Sequence, residues 1–398
     1  MNDENVPMVP FEEALERVLG SARPLEEETV ALERALGRVL RRDAVSDVDM
    51  PPFDKSAMDG YACRSADLGM PLEVVETIAA GRIPEKRIGE GECSKIMTGG
   101  VVPPGADRVV MVEDTKLENG IMTVTARDER DNICRKGEDL KAGDLILCAG
   151  TILTPAEIAV LAGAGYASVV VSRRPVLGIA ATGNELVEPS ETPKGAEIRD
   201  SNSLQLYSQS VRAGSDPVLL GIPQDTPDAI GAVLDREDPG IDVFLLTGGV
   251  SMGEYDHVPA VLEDRGFELL LRSVAMKPGK PTVFGSRDGQ WVFGLPGNPV
   301  STFLVFELFV RPFCYKLMGG RYSPPRVHAE LSAAIRTRRS KRRTHVPVYL
   351  DAEGRAVPID YHGSAHIHAY AMAGGFVSIP AGKGEIAAGE IVQVTLTR

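Results

Sequence analysis

Three glycine-containing stretches in the second half of the chain carry residues suited to binding an anion. The first follows a short apolar run and reads Thr247-Gly-Gly-Val-Ser, and the second is Lys277-Pro-Gly-Lys-Pro, in which Lys277 and Lys280 place two compact charges on a stiff turn. The third, Pro296-Gly-Asn-Pro, precedes an apolar segment predicted to be a helix with Asn298 as its N-cap. Each stretch alone could be an ordinary turn. Together they predict an anion site, since glycines and helix N-termini present backbone N–H groups to a ligand.

Three carboxylates follow predicted strands in the same part of the chain. Residues 175–322 alternate apolar strands with helices, which is typical of a doubly wound α/β domain. Glu185, Asp225 and Asp256 each come after one of these strands. Ligands of open α/β sheets bind outside the carboxyl ends of the strands, so these side chains could converge there. Capping and solvation of loops would explain the same three residues.

The first residues and a later segment form the next layer of elements. Apolar positions at helical spacing predict a helix over 10–19, and the chain is then expected to be extended over 28–32 and helical over 33–40. These pieces are expected to pack against 143–171, where Leu145–Leu147 is a predicted strand. Thr154-Pro-Ala-Glu157 is a capping box that predicts a helix ending near Gly165.

The segment 47–139 is predicted to be an inserted β-rich domain. It contains the irregular loop Met50-Pro-Pro-Phe-Asp-Lys-Ser-Ala-Met-Asp-Gly-Tyr-Ala and the stretch Met97-Thr-Gly-Gly-Val-Val-Pro-Pro-Gly-Ala-Asp. From residue types alone, each is more readily a turn than a site. The last segment, 323–398, returns to the alternation typical of strands. Its histidines at 362, 366 and 368 lack an accompanying cysteine or carboxylate, so a metal site is not the favoured interpretation.

Composition narrows the class of protein. A chain of 398 residues with 43% hydrophobic and 25% charged residues is typical of a globular protein with two to four domains. The net charge of −13 opposes nonspecific binding to nucleic acid or to an anionic membrane, and the dense basic run 336–343 is interpreted as a solvated face. No apolar run is long enough for a membrane helix, and the five cysteines form no Cys-x-x-Cys pair. We therefore expect a cytoplasmic protein without nucleic-acid or membrane partners.

The order of the motifs resembles one protein family. Thr-Gly-Gly-Val-Ser-x-Gly-x-x-Asp, Lys-Pro-Gly-Lys-Pro and Gly-Leu-Pro-Gly-Asn-Pro occur in this order, preceded near the N-terminus by Ser-Ala-Met-Asp-Gly-Tyr. In this the chain resembles the molybdopterin molybdenumtransferases, the MoeA-type enzymes that include the C-terminal domain of gephyrin, over nearly its whole length.

The resemblance implies an α/β multidomain fold with four parts. A MogA-like doubly wound α/β domain that binds molybdopterin would occupy 175–322. The resemblance also implies a discontinuous, elongated N-terminal dimerisation domain, an inserted β-rich domain and a small C-terminal β-barrel domain, at 1–46 plus 140–174, 47–139 and 323–398 respectively.

The activity implied by the resemblance is a step of molybdenum cofactor biosynthesis. The enzyme would insert molybdenum from molybdate into adenylylated molybdopterin, release AMP and depend on Mg²⁺. It would act as a homodimer, with molybdopterin adenylyltransferase as a plausible upstream donor. Molybdate and tungstate remain open as the oxyanion, since both are tetrahedral dianions of similar size.

Site residues follow from the family motifs, position by position. The implied catalytic residues are Asp59, Thr98, Asp139, Glu185, Asp225 and Asp256, of which the last three would also hold the metal. The implied substrate-binding residues are Thr247, Gly248, Gly249, Ser251, Lys277, Lys280, Pro296, Gly297, Asn298, Arg343 and Ser364. Asp59, Thr98 and Asp139 would reach the site from the other subunit. The chain departs from the family at Asn184, where an aspartate is usual, and Arg342 adjoins Arg343 as an alternative oxyanion contact.

Two other functions are compatible with parts of the pattern. The competence-damage-inducible proteins, which process pyridine nucleotides, use a similar molybdopterin-binding domain but lack the insertion at 47–139. A scaffold that binds a receptor peptide is the second alternative, because gephyrin has such a role.

Overall fold

The computed structural model describes residues 7–126, 129–236, 240–250, 257–337, 341–360 and 363–397. These residues form two compact units. The first unit comprises the described parts of 1–42, 149–154 and 168–398, and the second comprises those of 43–148 and 155–167. The four-part division expected from the sequence stays a prediction.

The helices and strands alternate irregularly along the described chain. The α-helices are α1 Phe11–Ser21, α2 Pro155–Gly163, α3 Asn202–Arg212, α4 Pro227–Leu234, α5 Val258–Asp264, α6 Pro299–Val305, α7 Arg311–Leu317 and α8 His368–Met372. The strands are β1 Glu27–Ala31, β2 Ala44–Val45, β3 Lys55–Ser56, β4 Gly60–Cys63, β5 Leu72–Ile78, β6 Glu92–Ile96, β7 Arg108–Met111, β8 Thr115–Glu118, β9 Ile121–Val124, β10 Ile133–Cys134, β11 Leu145–Leu147, β12 Ser168–Ser172, β13 Val176–Ala181, β14 Leu186–Val187, β15 Ile198–Arg199, β16 Asp216–Gly221, β17 Val243–Thr247, β18 Glu268–Leu271, β19 Met276–Lys277, β20 Val283–Arg287, β21 Gln290–Leu295, β22 Arg326–Glu330, β23 Ile335–Arg336, β24 Arg343–Leu350, β25 Ala356–Pro358, β26 Gly375–Ile379, β27 Glu385–Ile386 and β28 Ile391–Leu396. None of the helices described here has the length and apolar character needed to cross a membrane.

A six-stranded sheet in the order β16-β13-β17-β21-β20-β18 organises the first unit. Strands β16, β13, β17 and β21 are parallel, whereas β20 is antiparallel to both of its neighbours, β21 and the edge strand β18. All five residues of β17 are buried, as expected for a central strand covered on both faces.

Helices cover both faces of this sheet, which confirms the doubly wound α/β domain. On one face, α4 and α5 contribute Ile230, Leu234, Val258 and Leu262 to an apolar core. The other face packs against α3, α6 and α7, and Phe306–Val310 forms a π-helical turn that joins α6 to α7. The two cores fix the direction of the strands and therefore the position of their carboxyl ends.

Two expectations for the first residues are wrong. Helix α1 packs on the α/β core rather than on 143–171: Phe11, Ala14 and Val18 are buried there, and the Phe11 ring lies 5.2 Å from that of Phe309. Residues 33–40 are not helical beyond a short 3₁₀ turn at Leu32–Arg34.

The chain after that turn is extended because it pairs with two other segments. Gly37 adopts a φ of 74°, which ends any helix, and its N–H donates to the Leu153 carbonyl. Val39 and Leu40 then form single bridges to Ile152 and Val171. The extended segment at 28–32 is confirmed in substance, since β1 pairs with β12 in antiparallel register.

The second unit is built on another six-stranded sheet, in the order β7-β4-β6-β5-β9-β8. Strands β3 and β10 form a separate short pair, so part of the stretch expected to be an irregular loop is a strand. The unit confirms a β-rich domain, and α2 belongs to this unit rather than to the first.

The C-terminal segment forms a small barrel within the first unit. Its sheet has the order β19-β24-β26-β28-β22, and β25 pairs with the other end of β24. A single bridge from Leu331, next to β22, to Ala356 in β25 closes the ring. Its interior is apolar, with Leu331, Val348, Ile379 and Val394 fully buried. The expected β-barrel domain is confirmed.

Candidate functional site

A cleft of about 660 Å³ opens at the carboxyl ends of β13, β17 and β21 in the first unit. Four chain segments line it, at 182–186, 198–202, 247–250 and 296–299, together with Asp225, Pro281, Ala365 and Ile367. The predicted residues Glu185, Asp225, Thr247, Gly248, Gly249, Pro296, Gly297 and Asn298 are all on its wall. The position agrees with the rule that open α/β sheets bind ligands at this edge.

The loop after β17 requires glycine at 248, where the backbone approaches its neighbour too closely for a side chain, and it favours glycine at 249. Gly248 has a φ of 98°, and a Cβ atom there would lie 2.2 Å from the Thr182 carbonyl oxygen. Gly249 has a φ of 60° and would place a Cβ atom 3.4 Å from Oδ1 of Asp225. The Gly248 N–H donates to the Leu295 carbonyl, which ties this loop to the end of β21. The two glycines therefore bring the backbone of the loop against the segment at 182.

The turn at 296–299 differs from the expected N-cap. Asn298 precedes α6 with extended backbone angles, but its side chain makes no capping hydrogen bond. Its Nδ2 instead donates to Oγ of Ser364 at 2.9 Å, and the Val300 N–H donates to the Ser364 carbonyl at 3.0 Å. The structure thus brings the predicted residues Asn298 and Ser364 together, although they are far apart in sequence.

Sequence reasoning missed the contribution of the segment before α3. The Asn202 Nδ2 donates to Oγ1 of Thr247 at 3.0 Å and to the Gly297 carbonyl at 2.7 Å, so one amide joins two of the predicted loops. Asp200 accepts from the Ser203 N–H at 3.0 Å through Oδ1 and also lines the cleft. In the sequence, the run Asp200-Ser-Asn-Ser is a helix-start signal. The available signal for a role in the site was that this helix start lies within the α/β domain.

Two of the three predicted metal-binding carboxylates are placed together. Glu185 and Asp225 both line the cleft, while Asp256 lies outside the described residues, as does Ser251. Asn184 accepts the Asp225 N–H through Oδ1 at 3.3 Å, so it supports the loop that carries Asp225. The described part of the chain contains no group of three or more His, Cys, Asp or Glu arranged to hold a metal ion. Two carboxylates still suit Mg²⁺, which commonly takes one or two protein carboxylates together with substrate phosphates.

The predicted cations are not on the wall of the cleft. Pro281 lines it, whereas its neighbour Lys280 does not, and Lys277 is exposed in β19. Arg343 forms an ion pair with Glu12 and lies 4.8 Å above the Phe11 ring, so its guanidinium is committed to α1. Among the described residues, the cation that lines the cleft is Arg199, which was not predicted from the sequence. Its Nε donates to the Glu191 carbonyl at 2.9 Å.

The second unit brings Asp59 and Thr98 into direct contact. One carboxylate oxygen of Asp59 accepts the Thr98 N–H at 2.6 Å and the Thr98 hydroxyl at 2.7 Å. These two hydrogen bonds, the backbone one first, hold the pKa of Asp59 below its usual value. Asp59 is therefore an exposed, ionised carboxylate with a fixed orientation.

Asp139 lies in a different opening of the same unit, of about 620 Å³. The residues around it are Met50, Pro51, Pro52, Lys55, Cys134 and Glu138. The Asp139 N–H donates to the Met50 carbonyl at 3.0 Å, which joins the turn at 137–139 to the stretch at 50–59. Asp59 and Thr98 do not line this opening.

Family models match the chain in three consecutive regions. The MoeA N-terminal region (domain I and II) matches residues 9–165, a probable molybdopterin binding domain matches 178–316, and the MoeA C-terminal region (domain IV) matches 329–397. The first match includes the segment 47–139, whose presence separates this chain from the competence-damage-inducible alternative.

Individual relatives agree over the full length. The molybdopterin molybdenumtransferase of Bacillus subtilis (strain 168) is 37% identical over 98% of this chain and 94% of its own. That of Staphylococcus aureus (strain Mu50) is 34% identical over 98% of this chain and 96% of its own. A crystal structure of the molybdopterin biosynthesis MoeA protein from Pyrococcus horikoshii OT3 superposes with a TM-score of 0.84 at 32% identity, covering 98% of this chain and all of that one.

Proposed function

The chain belongs to the MoeA-type molybdopterin molybdenumtransferases, and from that premise we propose that it inserts molybdenum from molybdate into adenylylated molybdopterin and releases AMP. The observation that carries the proposal is the cleft, where a glycine loop and two carboxylates meet at the carboxyl edge of the parallel sheet. A substrate with a pyrophosphate needs backbone N–H groups that can approach it closely. The glycine loop at 247–250 lies on the wall of the cleft, where a ligand can approach its backbone closely.

Each part of the cleft has a role in this proposal. The loops at 247–250 and 296–299 bind the phosphate and pterin portions of the substrate, and Asn298 with Ser364 orients the oxyanion. Glu185 and Asp225, with Asp256, would hold Mg²⁺, which when bound neutralises the charge that develops on the departing phosphate. Lys277 and Lys280 supply positive charge for the anionic substrate in a protein of net charge −13, and Lys280 is the sequence neighbour of the lining residue Pro281.

We also propose a homodimer whose second subunit provides Asp59, Thr98 and Asp139. Helix α1 offers no surface for association, because it buries its apolar face against its own chain. The outer face of α3 supports the proposal instead, since Leu204, Tyr207 and Val211 lie on it with 49%, 39% and 51% of their surface exposed. A contiguous apolar stripe of this kind is typical of a protein interface.

The place of the protein in the cell is part of the same proposal. Cys63, Cys93, Cys134 and Cys314 are free thiols, which favours a reducing compartment such as the cytoplasm. Molybdopterin adenylyltransferase is the upstream donor that the substrate requires.

The test is AMP release from adenylylated molybdopterin by the purified protein, with and without Mg²⁺ and molybdate. We expect release that depends on Mg²⁺ and is stimulated by molybdate. AMP release at the same rate with and without molybdate would contradict the proposed activity. AMP release at the same rate with and without Mg²⁺ would show that the reaction does not require the metal.

A further inference from the structure

Helix α3 turns its polar face toward α6 and leaves its apolar stripe in solvent. Asn202, Gln205 and Gln209 are spaced three and four residues apart, so they share one face of the helix. The side chains at 202 and 209 are buried, and that at 205 is half-buried, in contrast to the exposed Leu204.

This polar face forms a row of hydrogen bonds with the turn before α6, with α6 itself and with the π-helical turn that follows it. The Asn202 amide donates to the Gly297 carbonyl at 2.7 Å, and the Gln205 amide donates to the Pro299 carbonyl at 3.3 Å. The Gln209 amide donates to the Phe303 carbonyl at 3.3 Å and to Oε1 of Glu307 at 2.8 Å. We call Asn202, Gln205 and Gln209 the amide row.

The orientation of the first amide is determined by its partners. A backbone carbonyl can only accept, so the atom of Asn202 that faces Gly297 must be the NH₂ group. The same NH₂ group reaches Oγ1 of Thr247, and both of its hydrogens are then used. The row therefore begins by holding the loop at 247 and the turn at 296–299 at a fixed separation.

Apolar packing of α3 on α6 alone would not fix the distance between the loop at 247 and the turn at 296–299 so closely. Interdigitated side chains resist compression but allow small sliding movements, whereas a hydrogen bond weakens steeply when its distance or angle changes. Three donors aimed at carbonyls 297, 299 and 303 fix α3 and α6 in one register. Two of these carbonyls, at 297 and 299, belong to the cleft wall at 296–299, so the register of the helices also sets the position of that wall.

We propose that Asn202 and Gln205 are positioning residues: they hold the Pro296-Gly-Asn-Pro turn in the geometry that binds the substrate, while Gln209 anchors the row to the buried Glu307. The inference rests on the proposed function, because the turn matters only if the cleft binds the adenylylated substrate. It assigns a role to residues that do not themselves carry out the reaction.

Two measurements test the row, and one of them does not depend on the substrate. Hydrogen exchange of a peptide covering residues 293–303, followed by mass spectrometry on the ligand-free protein, reports the opening of the turn. Isothermal titration with AMP reports the affinity of the cleft. The variants are Asn202→Leu, Gln205→Met and Gln209→Met, which remove donors at similar size, with the exposed Ser208→Ala as the matched control on the same helix.

We expect Asn202→Leu and Gln205→Met to speed exchange in 293–303 and to weaken AMP binding by about three- to tenfold, as loss of one modest hydrogen bond would. Gln209→Met should lower the Tm but change exchange at the turn less. Ser208→Ala should leave the exchange, the AMP affinity and the Tm unchanged. Should Asn202→Leu fail to fold, Gln205→Met carries the test alone.

Unchanged exchange in the Asn202 and Gln205 variants would overturn the inference. The inference would also be overturned if exchange in 293–303 rose in all three amide variants in proportion to the fall in Tm. That pattern would show a loss of general stability and not a local effect on the turn. If the wild-type protein binds no AMP, the proposed function fails, whereas exchange still decides whether the row positions the turn.

Discussion

Thr98 fixes the charge of Asp59 through two hydrogen bonds to the same oxygen. Thr98→Val removes the hydroxyl donor and keeps the backbone N–H, so the pKa of Asp59 should rise part of the way toward the ordinary value of about 3.9. Asp59 would then become protonated at a higher pH than in the wild-type protein. The acid limb of the AMP-release profile should shift to higher pH, and a ¹³C NMR titration of the Asp59 carboxyl group measures the same change directly.

Thr98→Ser is the matched control for this change, because serine keeps a hydroxyl at the same atom. We expect its profile to overlay that of the wild type. An NMR titration in which Thr98→Val leaves the pKa of Asp59 unchanged would show that the hydroxyl contributes nothing to the ionised state.

The cations give a second prediction about single residues. Lys280 follows the family motif but lies beside the cleft, whereas Arg199 is on its wall. A charge-assisted contact contributes about 1.5 to 3 kcal/mol, so Lys280→Ala should weaken the apparent affinity for molybdate by roughly ten- to a hundredfold. Titration of AMP release with molybdate measures it, with the exposed Lys316→Ala as control. A larger loss of molybdate affinity in Arg199→Ala than in Lys280→Ala would place the anion at the 198–202 segment instead.

Arg338, in the basic run interpreted as solvated, lies outside the described residues.

Local sequence signals were sufficient for the backbone of the site but not for its side-chain partners. The strand before Thr247 and the glycines after it follow from neighbouring residues, since buried strands and left-handed turns have local signatures. The Asn298 contact with Ser364 spans 66 residues, and the Arg343 ion pair with Glu12 spans 331. Such contacts are set by how elements pack, and no local pattern encodes them.

The same distinction holds for whole elements. Helix α1 was predictable from its apolar spacing, but its packing partner was not, because the spacing shows which face is buried and not what covers it. Residues 33–40 were expected to be helical because their apolar positions fit that period. The backbone conformation of Gly37 and the bridges of Val39 and Leu40 to other segments keep this stretch extended instead of helical.

Glu307, in the turn that joins α6 to α7, gives a prediction about the stability of the protein. Only 5% of its side chain is exposed, and it accepts from Arg212 at 2.6 Å and from Arg311 at 2.9 Å. Glu307→Ala leaves the largely buried Arg311 without its carboxylate partner, so the free energy of unfolding should fall by about 3 to 5 kcal/mol. Urea denaturation measures the loss.

The control for Glu307 is an ion pair at the surface. Glu353 pairs with Arg355 at 3.4 Å with 67% of its side chain exposed, and Glu353→Ala should cost less than about 1 kcal/mol. Equal losses in the two variants would mean that burial adds nothing to the Glu307 network.

At the scale of the whole molecule, the residues assigned to one site belong to two compact units of the chain. Glu185 and Asp225 line the cleft of the first unit, whereas Asp59, Thr98 and Asp139 belong to the second. The proposed homodimer gives these residues a common task by supplying the second unit from the other subunit. The apolar stripe of α3 is the surface through which the subunits would associate.

Mixing two inactive variants tests this arrangement. Asp59→Ala and Asp225→Ala should each abolish AMP release, because each removes one half of the shared site. After subunits exchange at equal concentrations, about half of the dimers are mixed, and each mixed dimer has one intact site and one doubly damaged site. Activity should therefore recover to roughly a quarter of the wild-type rate, by this statistical count. Tyr207→Lys, in the exposed stripe, should yield monomers in sedimentation experiments and abolish the recovery when it is added to both variants. Mixed dimers as inactive as their parents would place both carboxylates in a site built by one subunit.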